Sequence, residues 1–229
     1  MIHCLHGAVG SHRDWELFKD SFNQDTKAVD LWKLFENASP TLPEAGQIIA
    51  DQAAQNDILL GYSMGGRLAL HALLADPKKW QAAIIISAHP GLLEGHPERL
   101  ANDKSWSRLP DKNWEFFLSR WNKQNILSTP PAGLKQAEFQ DRAAVAESFH
   151  HWSLGTQENL RLHFSEITCP VLWITGENDP KFTKLAEEAL SYLPNARHHA
   201  TAHSGHRVPW ETPRSFLEIV NNFLKNLPY

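Results

Sequence analysis

Gly61-Tyr62-Ser63-Met64-Gly65 sets one serine between two glycines. An apolar run at 58–60 precedes it, and a segment of helical composition with apolar residues three and four apart follows from Arg67. A serine in a sharp strand-to-helix turn has its hydroxyl pushed out at the helix N-terminus, and the flanking glycines let strand and helix pass closely. That hydroxyl is a weak nucleophile at neutral pH and needs a general base, which needs an orienting carboxylate. In open parallel sheets such partners come from loops just beyond the carboxyl ends of strands. Two loops qualify: Gly176-Glu177-Asn178-Asp179-Pro180 and Ala202-His203-Ser204-Gly205-His206-Arg207. Asp179 is assigned as the acid because it directly precedes a predicted helix, with Glu177 as its competitor. His206 is assigned as the base, since Gly205 favours a tight return toward the serine, with His203 as its competitor. A developing oxyanion also needs donors. The amide of Met64, at the helix start, and that of Ala8, in the early loop His6-Gly7-Ala8, are the candidates.

The elements that must position these groups read as follows. Short strands are predicted at 2–5, 26–31, 58–60 and 82–87, then at 170–175 and 196–201. Helical pattern is predicted at 12–22, 43–54, 67–74, 179–193 and 211–224. Alternation of strand and helix implies a doubly wound, mostly parallel sheet of six strands. The Ile-rich fourth strand lacks polar alternation, as expected for a sheet covered on both faces. Between residues 90 and 165 the rhythm breaks. No strand is predicted there, and Trp106, Trp114, Trp121 and Trp152 accompany Phe116, Phe117, Phe139 and Phe149. The chain is therefore expected to be one α/β domain, with a core at 1–89 and 166–229 and a helical cap inserted at 90–165.

Composition narrows the functional class. A 229-residue chain is long enough for a substantial core, and its net charge of -4 with scattered basic residues argues against a nucleic-acid partner. No apolar run approaches the roughly 20 residues needed to span a bilayer, and no secretory signal pattern opens the chain; a cytoplasmic protein without a membrane partner is expected. The two cysteines, Cys4 and Cys169, suit buried free thiols rather than a disulfide framework. His198, His199, His203 and His206 cluster in sequence, but no carboxylate or cysteine joins them, so neither a metal nor a cofactor is expected. The partner is a small-molecule substrate, and the sequence does not set the oligomeric state.

Leu5-His6-Gly7, Gly61-Tyr62-Ser63-Met64-Gly65-Gly66, Gly176-Glu177-Asn178-Asp179 and Gly205-His206 together resemble the α/β-hydrolase superfamily, including its order of serine, acid, histidine. The usual sheet there has eight strands, and the resemblance implies one lacking the first two. Within the superfamily, Gly61 to Leu70, Ala88-His89-Pro90-Gly91-Leu92, Glu98-Arg99 and Asp179-x-Lys181-Phe182 resemble the menaquinone-pathway 2-succinyl-6-hydroxy-2,4-cyclohexadiene-1-carboxylate synthases. Those enzymes use the triad as a base system that expels pyruvate without an acyl-enzyme. The resemblance implies that Tyr62 and Arg67 contact substrate; Arg67 also lies one helical turn beyond Ser63, where it either holds a carboxylate or ties the helix to the cap. Where that family has a further arginine after Glu-Arg, this chain has Ala101-Asn102-Asp103, and Arg142 is only a loose substitute.

The expectation from these residues is a serine hydrolase for small to medium carboxylic esters. Ser63 would attack, His206 shuttle the proton, Asp179 orient it, and Ala8 with Met64 hold the oxyanion. A pyruvate-eliminating lyase on the same triad is the alternative. A non-catalytic ligand receptor on this fold is the third reading, disfavoured because binding alone gives no reason to keep all four parts together.

Overall fold

A computed structural model describes residues 1–94, 96–127 and 131–227. Six strands form one sheet: β1 (Ile2–Leu5), β2 (Thr26–Val29), β3 (Asp57–Tyr62), β4 (Trp80–Ile86), β5 (Val171–Gly176) and β6 (Ala196–Thr201). Their order is β2-β1-β3-β4-β5-β6, and every pairing is parallel. The order reverses between β1 and β3, so a crevice opens beyond the carboxyl ends of those two strands.

The period of two explains why β3, β4 and β5 carry almost no polar residue. Leu59, Ala83, Ile85 and Trp173 point to one apolar cluster, while Ile58, Leu60, Ile84 and Ile174 point to the other. Helices α1 (Leu42–Asp51), α2 (Met64–Ala75) and α6 (Pro180–Leu190) supply the first cluster. The second face is covered by α7 (Val208–Glu211), α8 (Pro213–Lys225) and the 3-10 turn at His12–Leu17. Helix α8 shows the pattern plainly, burying Phe216, Val220, Phe223 and Leu224 at helical spacing.

Several sequence expectations shift at their ends. The predicted helix at 12–22 is only the 3-10 turn, where the Ser11–Asp14 capping box tightens the first turn and Leu17 is exposed. The second strand stops at Val29, because Asp30 caps a second 3-10 turn, Leu31–Phe35. The last helix is split, with Pro213 opening α8 after the short α7.

Between β4 and β5, which pair directly, the described residues form α3 (Pro97–Ser107), α4 (Trp114–Asn122) and α5 (Arg142–His151) with further 3-10 turns, and no strand. Among the described residues there, the one sheet-like contact is an isolated bridge from Gln136 to Gly10. The expected cap includes residues 95 and 128–130, which lie outside the described residues. Trp106, Phe117, Trp121 and Phe149 pack ring against ring, with Trp106 and Trp121 centroids 5.4 Å apart. Phe116 and Phe139 instead face solvent. Cys4 and Cys169 are free and buried, and among the described residues no helix is long and apolar enough to cross a membrane.

Candidate active site

Ser63 sits between β3 and α2 with φ 53° and ψ -109°. Such a backbone costs on the order of 1–3 kcal/mol for a non-glycine residue and survives because its surroundings leave no alternative. A Cβ on Gly61 would fall 2.5 Å from the Gly65 carbonyl oxygen, and one on Gly65 would collide with the Leu5 and His6 carbonyls. The two glycines therefore allow β3, α2 and the end of β1 to converge on the serine.

The serine hydroxyl donates to His206 Nε2 at 3.1 Å, and His206 Nδ1–H donates to Asp179 Oδ2 at 2.7 Å. That second bond sets the tautomer, leaving Nε2 free to accept a proton. Asp179 also caps α6, its Oδ1 accepting the Phe182 N–H at 3.4 Å. His206 and Asp179 are both buried, whereas the competing Glu177 and His203 are exposed and stand outside this chain of bonds. His198 is bonded to Thr175 at 2.7 Å in a separate network, and among the described residues no group of His, Cys, Asp and Glu is arranged to hold a metal.

Backbone contacts tie the loops together. The Asn178 N–H donates to the Ser204 carbonyl at 2.8 Å, joining the loop of the acid to that of the histidine. On the other side Glu211 accepts from the Gly205 N–H and from the Ser204 hydroxyl. Phe182 packs edge-on to the His206 ring at 4.5 Å, with Tyr62 at 5.6 Å. Neither Phe182 nor Glu211 had been assigned a role from sequence; position one turn along from the acid and the histidine was the available signal.

Beyond Ser63 lies a cavity of about 280 Å³, with Ala8 and Met64 in its wall. As first residue of α2, Met64 has an N–H without an intrahelical acceptor. The loop bearing Ala8 is fixed from below by His6, whose Nδ1–H donates to the Gly7 carbonyl at 3.0 Å while Nε2 accepts the Leu31 N–H at 3.2 Å. It is fixed from above by Asp14, which accepts N–H bonds from Ser11 and from Lys135 at 3.1 and 2.6 Å. Burial pushes the Asp14 carboxyl up to about 7, against the pull of those amides and of Arg207.

Arg67 ties its helix to the segment between β4 and β5 and also reaches the cavity. Its Nε donates to Gln157 Oε1 at 2.5 Å and its Nη2 to the Trp152 carbonyl at 2.8 Å. Burial and the nearby Arg99 push its pKa down, though a guanidinium still carries its charge at neutral pH. Tyr62 lines the cavity as well, its phenol pushed up by burial.

Among the described residues, the further arginine missing after Glu98-Arg99 has no replacement from the β4–β5 segment in the cavity wall, but cations from elsewhere line it. Arg99, Lys181 and Arg207 join Arg67 in the wall, against the carboxylates Asp14 and Asp103. Arg142 is not among them: it stacks on Phe139 at 4.2 Å, with Asp111 3.9 Å away. Arg99 was visible in sequence next to Glu98, but its inward placement depends on the buried Asp103 one turn on, which its Nε meets at 2.9 Å.

The chain belongs to the Alpha/beta hydrolase family, whose model matches residues 4–219. Over nearly all its length it is similar to a Bacillus subtilis (strain 168) protein provisionally named 2-succinyl-6-hydroxy-2,4-cyclohexadiene-1-carboxylate synthase. Identity is 30%, covering 98% of this chain and 90% of that one. The synthase of the same name from Serratia proteamaculans (strain 568) is 28% identical, over 97% and 92% of the two chains. Among solved structures, MenH from S. aureus superposes with a TM-score of 0.79 at 23% identity, covering 98% of this chain and 92% of that one. Carboxylesterase NP from Bacillus subtilis superposes at 0.63 and 20% identity, covering 97% and 82%. The last two likenesses speak to fold.

Proposed function

We propose that this protein is a lyase of the kind its named relatives represent, removing a proton beside a carbonyl and expelling pyruvate. Ser63, His206 and Asp179 form the base system, the amides of Ala8 and Met64 are the oxyanion donors, and residues 90–165 cover the substrate as a cap. His206 takes the Ser63 proton as Ser63 Oγ takes the proton from the substrate carbon. The electrons of that C–H bond pass to the carbonyl oxygen, where the two amides meet the charge. Their return breaks the C–O bond to an enolpyruvyl group, which takes up the proton held by His206 and leaves as pyruvate. No acyl-enzyme forms.

The observation that carries this reading is the charge of the cavity wall. Arg67, one turn from the reacting serine, is held by neutral acceptors, with Arg99, Lys181 and Arg207 around the same space. The relatives' product name describes a succinyl group and a ring carboxylate, two anionic groups that need cationic partners when buried.

Ester hydrolysis through an acyl-enzyme on Ser63 is the second reading. It is favoured by the hydroxyl–imidazole bond at 3.1 Å and by aromatic wall residues such as Trp121 and Phe149. A paired assay separates the two. The purified protein, given the enolpyruvyl substrate, is expected to release pyruvate with a kcat/KM far above that for p-nitrophenyl acetate. Arg67→Ala is expected to lower the pyruvate-forming kcat/KM roughly 100-fold, in line with about 3 kcal/mol for a lost charge-assisted bond. Rapid ester turnover without pyruvate release would replace the lyase by the esterase.

A further inference from the structure

We propose that His89 is a substrate-contacting residue, a neutral imidazole whose Nε2–H donates to a carboxylate oxygen of the ligand beside Arg67. This rests on the reading of the substrate as an anion given above.

His89 follows β4 in the loop Ser87-Ala88-His89-Pro90-Gly91, is 6% exposed, and forms part of the cavity wall. Its Nδ1 accepts the Gly91 N–H at 3.2 Å. That amide is held in place by backbone: Gly91 has φ 102°, and a Cβ there would collide with the Glu158 carbonyl. With the Nδ1 lone pair engaged, the proton of a neutral ring belongs on Nε2. A second proton on the ring would confront the Gly91 N–H. It would also add charge beside Arg67, Lys181, Arg161 and Arg99, and burial together with those cations pushes the His89 pKa down to about 3. The ring is therefore a constant donor at any working pH. Its Nε2 makes no hydrogen bond to a described residue, yet is absent from the polar atoms sealed without a partner, as His71 Nε2 is sealed. It opens on the cavity.

The link to Arg67 is direct. Gln157 accepts from Arg67 Nε with its Oε1 and donates through Nε2 to the His89 carbonyl at 3.3 Å. One amide thus sets the relative placement of the guanidinium and the imidazole loop. Between His89 and the triad stands Phe182, edge-on to His89 at 6.4 Å and to His206 at 4.5 Å. A carboxylate held by Arg67 and His89 lies across that ring from the reacting atoms, where it orients the substrate without taking part in proton transfer. A neutral donor suits that role: it adds direction to a site already rich in positive charge.

Two measurements test this, one of them on the unmodified protein. With ¹⁵N-labelled histidine, the His89 ring is expected to show Nδ1 as the unprotonated and Nε2 as the protonated nitrogen. Addition of 3-benzoylpropionate, a keto acid carrying one carboxylate, is expected to shift the Nε2–H resonance. In kinetics, His89→Leu is expected to raise KM for the enolpyruvyl substrate at least tenfold with a smaller change in kcat. His89→Gln, which keeps a neutral N–H donor, is expected to recover part of that loss. Pyruvate release and probe binding with an unmoved Nε2–H, or an unchanged KM in His89→Leu, would overturn the assignment while leaving the lyase intact. A protein that neither binds the probe nor releases pyruvate would overturn the anionic-substrate reading, and this inference with it.

Discussion

The strand ends and the β4–β5 segment hold their functional side chains by different means. At the ends of β1, β3, β5 and β6 the backbone does the positioning. Ser63 is held in a strained turn, Asp179 caps α6, and amide–carbonyl bonds tie the loop of His206 to that of Asp179. In the β4–β5 segment position comes from side chains packed on side chains: a cluster of Trp106, Phe117, Trp121 and Phe149, with Arg99 aligned by Asp103 and Asp103 by Ser153. The first arrangement leaves the backbone little freedom, which is what bond-making requires. The second can be repacked residue by residue, which suits the choice of substrate.

The sharpest division between the two regions should come from Ser63→Ala. Loss of the hydroxyl is expected to lower kcat by roughly 10⁴- to 10⁶-fold, while the urea midpoint stays close to that of the unmodified protein, since little is buried by one oxygen. Near-normal turnover in this variant would dissolve the assignment of chemistry to the strand ends. Phe117→Ala probes the other region. The ring is fully buried among aromatic neighbours, and its removal is expected to cost about 3–5 kcal/mol in urea unfolding. If the β4–β5 segment folds with the core, a single transition will shift; two separated transitions would show that it unfolds on its own.

A smaller effect distinguishes the regions by pH. His71, on the inner face of α2, is buried with Nε2 unpartnered, and burial with the nearby Arg67 pushes its pKa from 6.5 down to about 4. A histidine kept neutral in the folded state binds more protons when unfolded between those two values. Its share of stability is thus full above pH 6.5 and is lost as pH falls toward 4, at up to about 1.4 kcal/mol per unit. His6, pushed down to about 4 by burial, acts with the same sign. Urea unfolding at pH 7 and pH 4.5 is expected to show the protein weaker at the lower pH, and His71→Leu to reduce that difference by about 2 kcal/mol. An unchanged difference would mean that His71 titrates normally.

This contrast also explains what could be read from the chain. Strands β1, β3, β4 and β5 were legible because a strand buried on both faces is an apolar run, whereas the edge strands β2 and β6, partly exposed and polar, were legible only from the alternation of strand and helix. Ser63, Asp179 and His206 were legible as a geometry because each is tied to a strand end and a local turn signal: glycines around Ser63, a helix start after Asp179, Gly205 before His206. The 3-10 turns were not, since a capping box such as Ser11–Asp14 opens either kind of helix. The cationic wall was not legible either. Arg99 faces inward because of a carboxylate a turn away and a serine fifty residues on, Ser153, that bonds it. Lys181 and Arg207 adjoin the acid and the histidine in sequence, but adjacency does not say which way a side chain leans. Arg142 was the plausible substitute by position, and it packs on Phe139 instead.

The direct pairing of β4 with β5 bears on how this architecture diversifies. The Ser87 N–H donates to the Ile174 carbonyl at 2.9 Å, so the chain leaves the sheet and re-enters it at neighbouring strands. Closing such an excursion costs only about 0.6 kcal/mol more for each doubling of its length. Lengthening an exposed turn of that segment is cheap in folding terms, while loss of its packed aromatics is not. An insertion at Ser63 or Gly205 would break the chain of bonds from Ser63 through His206 to Asp179. Under the proposed function, one covering segment can therefore be exchanged for another over an unchanged catalytic floor.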